Sequence, residues 1–321
     1  MSKWLVAFDT DKIKQYVFRT STLKEIRGAS ALLDRLNRQD MPNIVGGERI
    51  YANGGGGLFV IDADDPQAAV QAVQKLYTTA THSASITGAA VPMPADPAQV
   101  KDALALVRCK LRAAKAAPVE PQSPVTHPLF RFCDVCGAEY AEYDQGDEQV
   151  CRSCAAKRSE NSAVQRDIAR WIAGDRRTQD EDRLWYRLIA GLHAEKDYPL
   201  AGHDRPDTFE DLGETSKPDG YMGLIYADGD GMGRVIENIQ STAEMRRFSE
   251  AVDGALHDAV LSAAAAHLKP DDKDGRRGPL PFDVLLLGGD DLVMVTSAHK
   301  ALEVAAHIVD KFAQLTATRW G

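Results

Sequence analysis

The sequence predicts an α+β protein with two related folding units, the second of them incomplete, and a cysteine-rich insert between them. Three observations support this prediction. Residues 1–95 alternate strand and helix patterns in the order β-α-β-β-α-β, which is the ferredoxin-like arrangement. Residues 219–321 repeat that order as far as the second helix. Two CxxC pairs lie in the region that joins the repeats.

The first unit begins with a short apolar strand over residues 4–9 that ends in a carboxylate. Apolar residues at helical spacing predict a helix around residues 26–36. Two apolar runs joined by the glycines Gly54–Gly57 predict a hairpin, because glycine-rich turns connect paired strands. Pro66 then opens a second helix, and residues 85–91 supply the last strand.

The second unit follows the same plan. Residues 222–227 predict a strand that ends at Asp228, and a helical region follows. An apolar hairpin over residues 284–295 carries the turn Gly288-Gly-Asp-Asp291, and a further helical pattern comes after it. The sequence stops at Gly321, so we expect the final strand of this unit to be missing.

The two units match each other at their acidic and glycine-rich segments. Asp9-Thr-Asp11 aligns with Asp228-Gly-Asp230, and Gly54–Gly57 aligns with Gly288–Asp291. The predicted boundaries are residues 1–95 for the first unit, 96–128 for a helix and linker, 129–160 for the cysteine insert, 161–218 for a helical linker and 219–321 for the second unit.

The composition is that of an ordinary globular protein, with 44% hydrophobic and 26% charged residues. The formal net charge of −9 argues against this chain alone coating a nucleic-acid backbone, although it permits docking beside basic partners. No apolar run approaches the roughly 20 residues that span a bilayer, and no signal peptide of the usual shape is present. We therefore expect a cytoplasmic protein without membrane contact.

Asp228 and the turn carboxylates Asp290 and Asp291 are placed to hold metal ions at neighbouring strand ends. Joining a hydroxyl to the α-phosphate of a nucleotide builds negative charge, which two divalent ions roughly 3.5–4 Å apart can neutralise. Magnesium or manganese suits such oxygen ligands. Gly288 and Gly289 leave room for triphosphate oxygens to approach the backbone.

A GGDD tip alone can be no more than a turn, since Gly and Asp are common turn residues. Its position between two apolar strands, in the unit that also carries Asp228, favours the catalytic interpretation. A calcium loop that starts at Asp228 is excluded, because Met232 and Ile239 stand where oxygen ligands are required. No phosphate loop of the GxxxxGK[ST] type occurs in the sequence.

Tyr221–Gly233, followed by Leu287–Leu292, resembles the second palm domain of the large polymerase subunit of type III CRISPR effectors, and Leu23–Asn37 resembles its first palm. The order palm, cysteine ribbon, GGDD palm is more specific than GGDD, which diguanylate cyclases share. The resemblance implies that ATP is joined into cyclic oligoadenylate messengers. It also implies other effector subunits as partners, guide RNA as an indirect one, and target RNA as a candidate activator.

The resemblance implies roles for individual residues. Those that would hold magnesium or manganese and carry catalysis are Asp228, Asp290 and Asp291, with Asp230 as a weaker or outer ligand. Those that would contact nucleotide are Gly288, Gly289, Ser249 and, in the first palm, Gly54, Gly55, Gly56 and Gly57. Because the first-palm turn has no carboxylate, it would cradle the second nucleotide without catalysing; a plain hairpin turn is the alternative.

Cys133-Asp-Val-Cys136 and Cys151-Arg-Ser-Cys154 are two CxxC pairs with 14 residues between them. Four thiolates at this spacing predict a closed structural zinc site with no open position for water. Without a secretion signal, metal binding is expected before disulfides. A redox role for one CxxC pair is the alternative. Cys109, in an apolar helical context, is expected to be a buried thiol.

Two features depart from the family. Many members carry an N-terminal HD nuclease domain, whereas this sequence begins at the first palm. His203-Asp204 is expected in a polar loop, and His257-Asp258 inside the palm helix without the separated partners that a metal nuclease needs, so no HD-type DNase is predicted. The fourth strand of the second palm and the helical domain that follows it in the family are also missing. We expect a fragment or truncated homologue, or a partner that supplies the rest.

Three functions are consistent with the sequence. The first is a nucleotidyltransferase that makes cyclic oligoadenylate, which the intact acidic hairpin favours. The second is a catalytically silent scaffold of a type III effector complex, which the missing strand favours. The third is a nucleotide cyclase of the diguanylate type, which the non-catalytic first palm and the zinc ribbon oppose.

Overall fold

The computed structural model describes residues 2–116, 129–172, 174, 183–200, 202–273 and 276–320. The chain divides into two compact units, Met1–Ser162 with Gly233–Arg246, and Ala163–Met232 with Arg247–Gly321. Residues 117–128 of the predicted helix and linker lie outside the described residues. None of the helices in the described ranges is long and apolar enough to cross a membrane.

The first unit is built around four strands: β1 (Ser2–Thr10), β2 (Glu48–Asn53), β3 (Gly56–Ala63) and β4 (Ile86–Pro92). Its helices are α1 (Ile13–Val17), α2 (Leu23–Arg35), α3 (Met41–Val45), α4 (Pro66–Thr81) and α5 (Val100–Ala116), with a π-helical turn at Leu36–Asp40 and a 3-10 turn at Pro97–Gln99. The strands form one antiparallel sheet in the order β2-β3-β1-β4. This order confirms the predicted ferredoxin-like arrangement.

Strand β1 is buried on both faces of its sheet. Leu5 and Val6 point to opposite faces, and both are fully buried. Helices α4 and α5 both contact β1 and β4. Pro66 stands in the first turn of α4, and the Asp65 side chain accepts a hydrogen bond from the Gln67 backbone N–H. The cap and the proline together explain why the helix begins where the sequence predicts it.

The cysteine-rich insert is a small hairpin that leads into a long helix. Strands β5 (Tyr143–Gln145) and β6 (Glu148–Val150) pair antiparallel, and α6 (Arg152–Ile172) follows. Within the first unit, the Lys157 Nζ of α6 donates to the Tyr16 carbonyl at 2.8 Å. A Cβ atom on Gly28 of α2 would lie 1.8 Å from the Lys157 carbonyl oxygen. Gly28 is therefore required for the close approach of α2 and α6.

The rest of the chain contains α7 (Leu184–Ala194), α8 (Phe209–Gly213), β7 (Met222–Ala227), α9 (Met232–Asn238), α10 (Thr242–His267), β8 (Asp272–Lys273), β9 (Arg276–Arg277), β10 (Phe282–Gly288), β11 (Asp291–Ser297), a 3-10 turn at Ala298–Lys300 and α11 (Ala301–Arg319). These elements belong to the second unit, except for most of α9 and the start of α10, which belong to the first. The main sheet of the second unit is antiparallel, in the order β10-β11-β7. This is the order β2-β3-β1 of the first unit, so the second unit repeats the fold as predicted.

Strand β7 is an open edge in the described part of the chain, where it pairs only with β11 in the sheet. Its residues Leu224 and Tyr226 are 64% and 54% exposed. The equivalent positions of β1 are Leu5 and Ala7, which are buried in the unit where β4 and α5 follow. Over the described residues, the second unit therefore lacks the fourth strand, as the sequence analysis expected.

The strand register places the match between the two hairpins one residue earlier than the sequence alignment does. The closing pair is Asn53 with Gly56 in the first hairpin and Gly288 with Asp291 in the second. The counterpart of Gly288–Asp291 is therefore Asn53–Gly56. A run of four glycines has no side chains that mark the buried face, so the sequence pattern alone could not set its register.

Candidate functional site

Three of the predicted carboxylates meet at one end of the second sheet. Leu292 of β11 pairs with Ala227 of β7. Because the strands are antiparallel, the next residues beyond that pair, Asp291 and Asp228, stand at neighbouring strand ends. The turn between β10 and β11 then adds Asp290.

Gly229 sets how closely the two acidic segments approach. A Cβ atom on this residue would stand 2.6 Å from the Asp290 Cβ and 2.8 Å from its Oδ2. The backbone that follows β7 therefore lies directly against the Asp290 side chain. Asp228 and Asp230, on either side of Gly229, are exposed, whereas Asp290 and Asp291 are half-buried. The structure thus brings the predicted aspartates into one locus.

Asp253 of α10 holds the tip of this hairpin, a role that was not predicted from the sequence. The Gly289 N–H donates to Asp253 Oδ1 at 3.3 Å, and Arg187 of α7 pairs with Asp253 Oδ2 at 3.3 Å. Gly289 itself has a φ of +60°, which glycine adopts at little cost. Ser249 stands one helical turn before Asp253 on the same face of α10, which is the face that reaches the turn. That four-residue spacing was the signal available in the sequence.

The donor set fits a hard divalent cation. Magnesium in proteins is usually bound through one or two carboxylates together with substrate phosphates, and this sheet end offers several carboxylates in two adjoining segments. Gly288 and Gly289 have no side chains beside these carboxylates, so a phosphate group can approach the backbone there.

Backbone conformation and close packing explain the glycines of the first hairpin. Gly54 and Gly55 are the two turn residues, with φ of +58° and +83°, as a tight two-residue hairpin turn requires. A Cβ atom on Gly55 would lie 2.0 Å from Ile13 Cδ1, and one on Gly57 would lie 2.6 Å from Met41 Cε. Gly56 and Gly57 already belong to β3. The turn conformation and the packing therefore account for these glycines without a ligand. A nucleotide contact at this turn stays a prediction.

The four predicted zinc ligands come together in the insert. The Sγ atoms of Cys133, Cys136, Cys151 and Cys154 all lie within 4.8 Å of one another. The Cys136 and Cys151 sulfurs are 3.8 Å apart. That distance is far beyond a disulfide bond of about 2.05 Å. It agrees with the spacing of about 3.8 Å between two thiolates that each lie about 2.3 Å from a tetrahedral zinc ion.

The surroundings of this cluster also fit a structural metal. Three of the four cysteines are buried. Hydrogen bonding to the Cys136 sulfur raises the pKa of the Cys151 thiol to about 11. A bound divalent cation would offset this by stabilising the thiolate form of the ligands. The Cys154 backbone N–H lies 3.4 Å from Cys151 Sγ, which is a typical contact of a ligand turn.

Replacing Cys133 with Ser should remove the metal and destabilise the insert. Structural zinc supplies folding free energy directly, because the unfolded chain has no preformed site. We expect about one zinc per chain in the freshly purified, reduced protein and a large loss in the variant, measured by elemental analysis. Cys109→Ser, on the exposed side of α5, is the matched control and should keep its zinc. Wild-type protein without zinc would contradict the assignment.

Cys109 itself corrects a prediction, because it is exposed rather than buried. The buried face of α5 is formed by Val100, Ala103, Leu104 and Val107 at helical spacing. Cys109 lies off that stripe, so an apolar neighbourhood in the sequence did not mean an apolar neighbourhood in space.

Both histidines of the two His-Asp pairs are buried and make contacts within the fold. His203 lies in a loop, as predicted, but it is buried, with Nδ1 2.8 Å from the Gly278 carbonyl oxygen. His257 is buried on α10, one turn after Asp253, and Asp258 pairs with Arg319 at 2.5 Å.

Burial, together with the nearby Arg187 guanidinium, lowers the pKa of His257 from 6.5 to about 4. Between these two values the unfolded chain binds a proton that the folded chain does not, so stability falls as the pH drops from 6.5 to 4. The difference amounts to roughly 3 kcal/mol. We expect His257→Gln to lose correspondingly less stability over that window, measured by denaturant unfolding at each pH. Parallel curves for variant and wild type would exclude this role.

Residues 221–320 match the family model of the Cas10/Cmr2 second palm domain. The whole chain is also similar in fold to solved structures. Aligned over 99% of its length, it matches 49% of a chain in the Csm1–Csm4 subcomplex of the type III-A CRISPR–Csm interference complex (15% identity, TM-score 0.61). It likewise matches 47% of Csm1 from T. onnurineus (14% identity, TM-score 0.59) and 48% of a chain in the Csm1–Csm4 cassette in complex with cA4 (15% identity, TM-score 0.57).

The chain therefore spans about half the length of the solved chains that it matches. No curated protein matches it. Residues 221–320 therefore correspond to a palm domain of the Cas10/Cmr2 type, and the sheet of the first unit repeats the strand order found there. The match over residues 221–320 and the fold similarity of the whole chain to Csm1 together support a Cas10-like subunit, as the resemblance in its sequence predicts.

Proposed function

We propose that this protein provides the nucleotide-joining palms of a type III CRISPR effector and converts ATP into cyclic oligoadenylate. The main support is the convergence of Asp228, Asp290 and Asp291 at one sheet end of a Cas10/Cmr2 palm domain. Structures of similar fold are described as Csm1–Csm4 cassettes in complex with one ATP and with cA4. Those descriptions motivate the choice of substrate and product.

The reaction would join the 3′-hydroxyl of one ATP to the α-phosphorus of the next. The new P–O bond forms as the bond to the β-phosphate oxygen breaks, and pyrophosphate leaves. Asp228, Asp290 and Asp291 would hold two magnesium or manganese ions, with Asp230 as an outer ligand. When bound, these ions would neutralise the negative charge that develops on the attacking and leaving oxygens.

The remaining residues would position the nucleotides. Gly288 and Gly289 would admit the triphosphate, while Asp253 holds their turn in place. Ser249 would contact the base. The first palm would cradle the second nucleotide at Gly54–Gly57 without catalysing, because its equivalent turn has no carboxylate.

We further propose that the protein works in the cytoplasm beside other type III effector subunits, with guide RNA as an indirect partner and target RNA as activator. Two of the similar structures are Csm1–Csm4 assemblies, which supports a partner of this kind. The cysteine cluster would hold its zinc as a purely structural ion.

Incubation of the protein with labelled ATP and GTP in Mg²⁺ or Mn²⁺ tests the proposal, both alone and in a reconstituted effector with target RNA. Products are identified by mass. Cyclic oligoadenylate from the reconstituted complex supports the proposal, whereas cyclic diguanylate would replace it with the diguanylate-cyclase alternative.

The open edge of β7 favours one other candidate, a silent scaffold. In that case the chain would assemble with its partners and make no product under any metal condition. Assembly measured by gel filtration, set beside the product assay on the same sample, separates the two functions.

A further inference from the structure

The first unit keeps the aspartates of the catalytic palm at the end of its first strand. Asp9 of β1 pairs with Gly56, which is the position of Asp291 in the second hairpin. Asp9 therefore occupies the place of Asp228, and Asp11 follows it as Asp230 follows Asp228. Two of the acidic positions of the proposed metal site are present in a unit that we expect not to catalyse.

A lysine side chain lies between the carboxylates of Asp9 and Asp11. The Lys115 Nζ, from the last turn of α5, lies 2.5 Å from Asp9 Oδ2 and 3.5 Å from Asp11 Oδ1. It also donates to the Thr10 carbonyl at 3.1 Å. Three oxygens from three consecutive residues thus surround one ammonium group, whose side chain is 27% exposed.

The carboxylate of Asp11 is fixed from its other side. Ser85 Oγ and Thr87 Oγ1, near the start of β4, each donate to it at 2.9 Å. The oxygens are therefore held around the ammonium by β4 as well as by β1. These contacts from two strands and one helix fix the geometry of the ion pair, unlike a single contact between two mobile surface side chains.

We propose that Lys115 is the resident cation of the first unit and excludes a divalent metal ion from it. An ammonium group tethered to a docked helix is present at a high effective concentration, so a metal ion must displace it before it can bind. Removal of the charge leaves Asp9 and Asp11 without their cation, and two neighbouring carboxylates then favour a new one. The asymmetry between the palms is thus set by Lys115 as well as by the missing turn carboxylates.

This inference rests on the proposed function only for the metal role given to the second unit, and the test separates them. All proteins in the test carry Asp290→Asn and Asp291→Asn, which disable the second site. Mn²⁺ binding is then counted by electron paramagnetic resonance of the free ion. We expect one more Mn²⁺ per chain in Lys115→Met than in the parent, and no gain in Lys110→Met, an exposed lysine on the same helix.

Two further variants keep the proposal falsifiable. Lys115→Gln retains an N–H donor for the Thr10 carbonyl and should gain the same ion if the Met variant folds poorly. Adding Asp9→Asn to Lys115→Met should abolish the gain. No extra Mn²⁺ in folded Lys115→Met or Lys115→Gln, or a gain that survives Asp9→Asn, would overturn the inference. Circular dichroism and the thermal midpoint confirm folding in each case.

Discussion

Replacing Asp290 and Asp291 together with Ala should reduce the proposed synthesis of cyclic oligoadenylate by at least about a hundredfold, while the chain stays folded. Both residues belong to the turn end of the β10–β11 hairpin and are half-buried, outside the apolar core. Their loss removes most of the charge proposed to hold the metal ions, and it relieves the repulsion between two adjacent carboxylates. Product formation in the reconstituted effector and the thermal midpoint are the two measurements.

The matched control is Asp271→Ala with Asp272→Ala. These are also adjacent aspartates of the second unit, with side chains 77% and 63% exposed, at a distance along the chain from the acidic turn. The control should keep its activity. Equal synthesis by the Asp290/Asp291 variant and wild type would show that the metal site is wrongly assigned. Loss of stability with retained synthesis would mark the turn as structural.

The order of elements could be predicted because its signals are local. The strand at Met222–Ala227 is an apolar run, and Pro66 with Asp65 defines a helix start within three residues. The cysteine cluster was predictable for the same reason, since ligand spacing constrains its geometry. The repeat then fixed the fold class, because two copies of one pattern support each other.

Contacts between distant segments could not be predicted. Lys115 reaches Asp9 across more than a hundred residues of chain, and Asp253 reaches Gly289 across 36. Each depends on how a helix docks on its sheet, which the pattern of one segment does not contain. The predicted burial of Cys109 was wrong for a related reason, since its exposure depends on the rotation of α5 about its axis.

The open edge of β7 bears on how these tests are run. Tyr226 is exposed beside the strand end that leads to Asp228. An unpaired edge can associate with other strands, so low activity of the isolated chain is ambiguous. The catalytic predictions therefore use the reconstituted effector, in which partners can cover that edge.

Gly229→Ala should reduce synthesis by about a hundredfold although it leaves every carboxylate in place. The added methyl would stand 2.6 Å from the Asp290 Cβ, closer than side-chain atoms approach, so Asp290 must move relative to Asp228. Displacement of a catalytic group by about 1 Å can cost a hundredfold in rate. Synthesis by the reconstituted effector and Mn²⁺ binding by the chain should both weaken.

Gly233→Ala is the control for this prediction. A Cβ atom there meets nothing within 4 Å, and the residue lies in the first turn of α9, where Ala favours the helix. This variant should retain wild-type synthesis and Mn²⁺ affinity. If Gly229→Ala behaves like it, the approach of the two acidic segments is not needed for catalysis. If Gly229→Ala loses synthesis but binds Mn²⁺ as tightly as wild type, Asp290 acts on the nucleotide rather than on the metal.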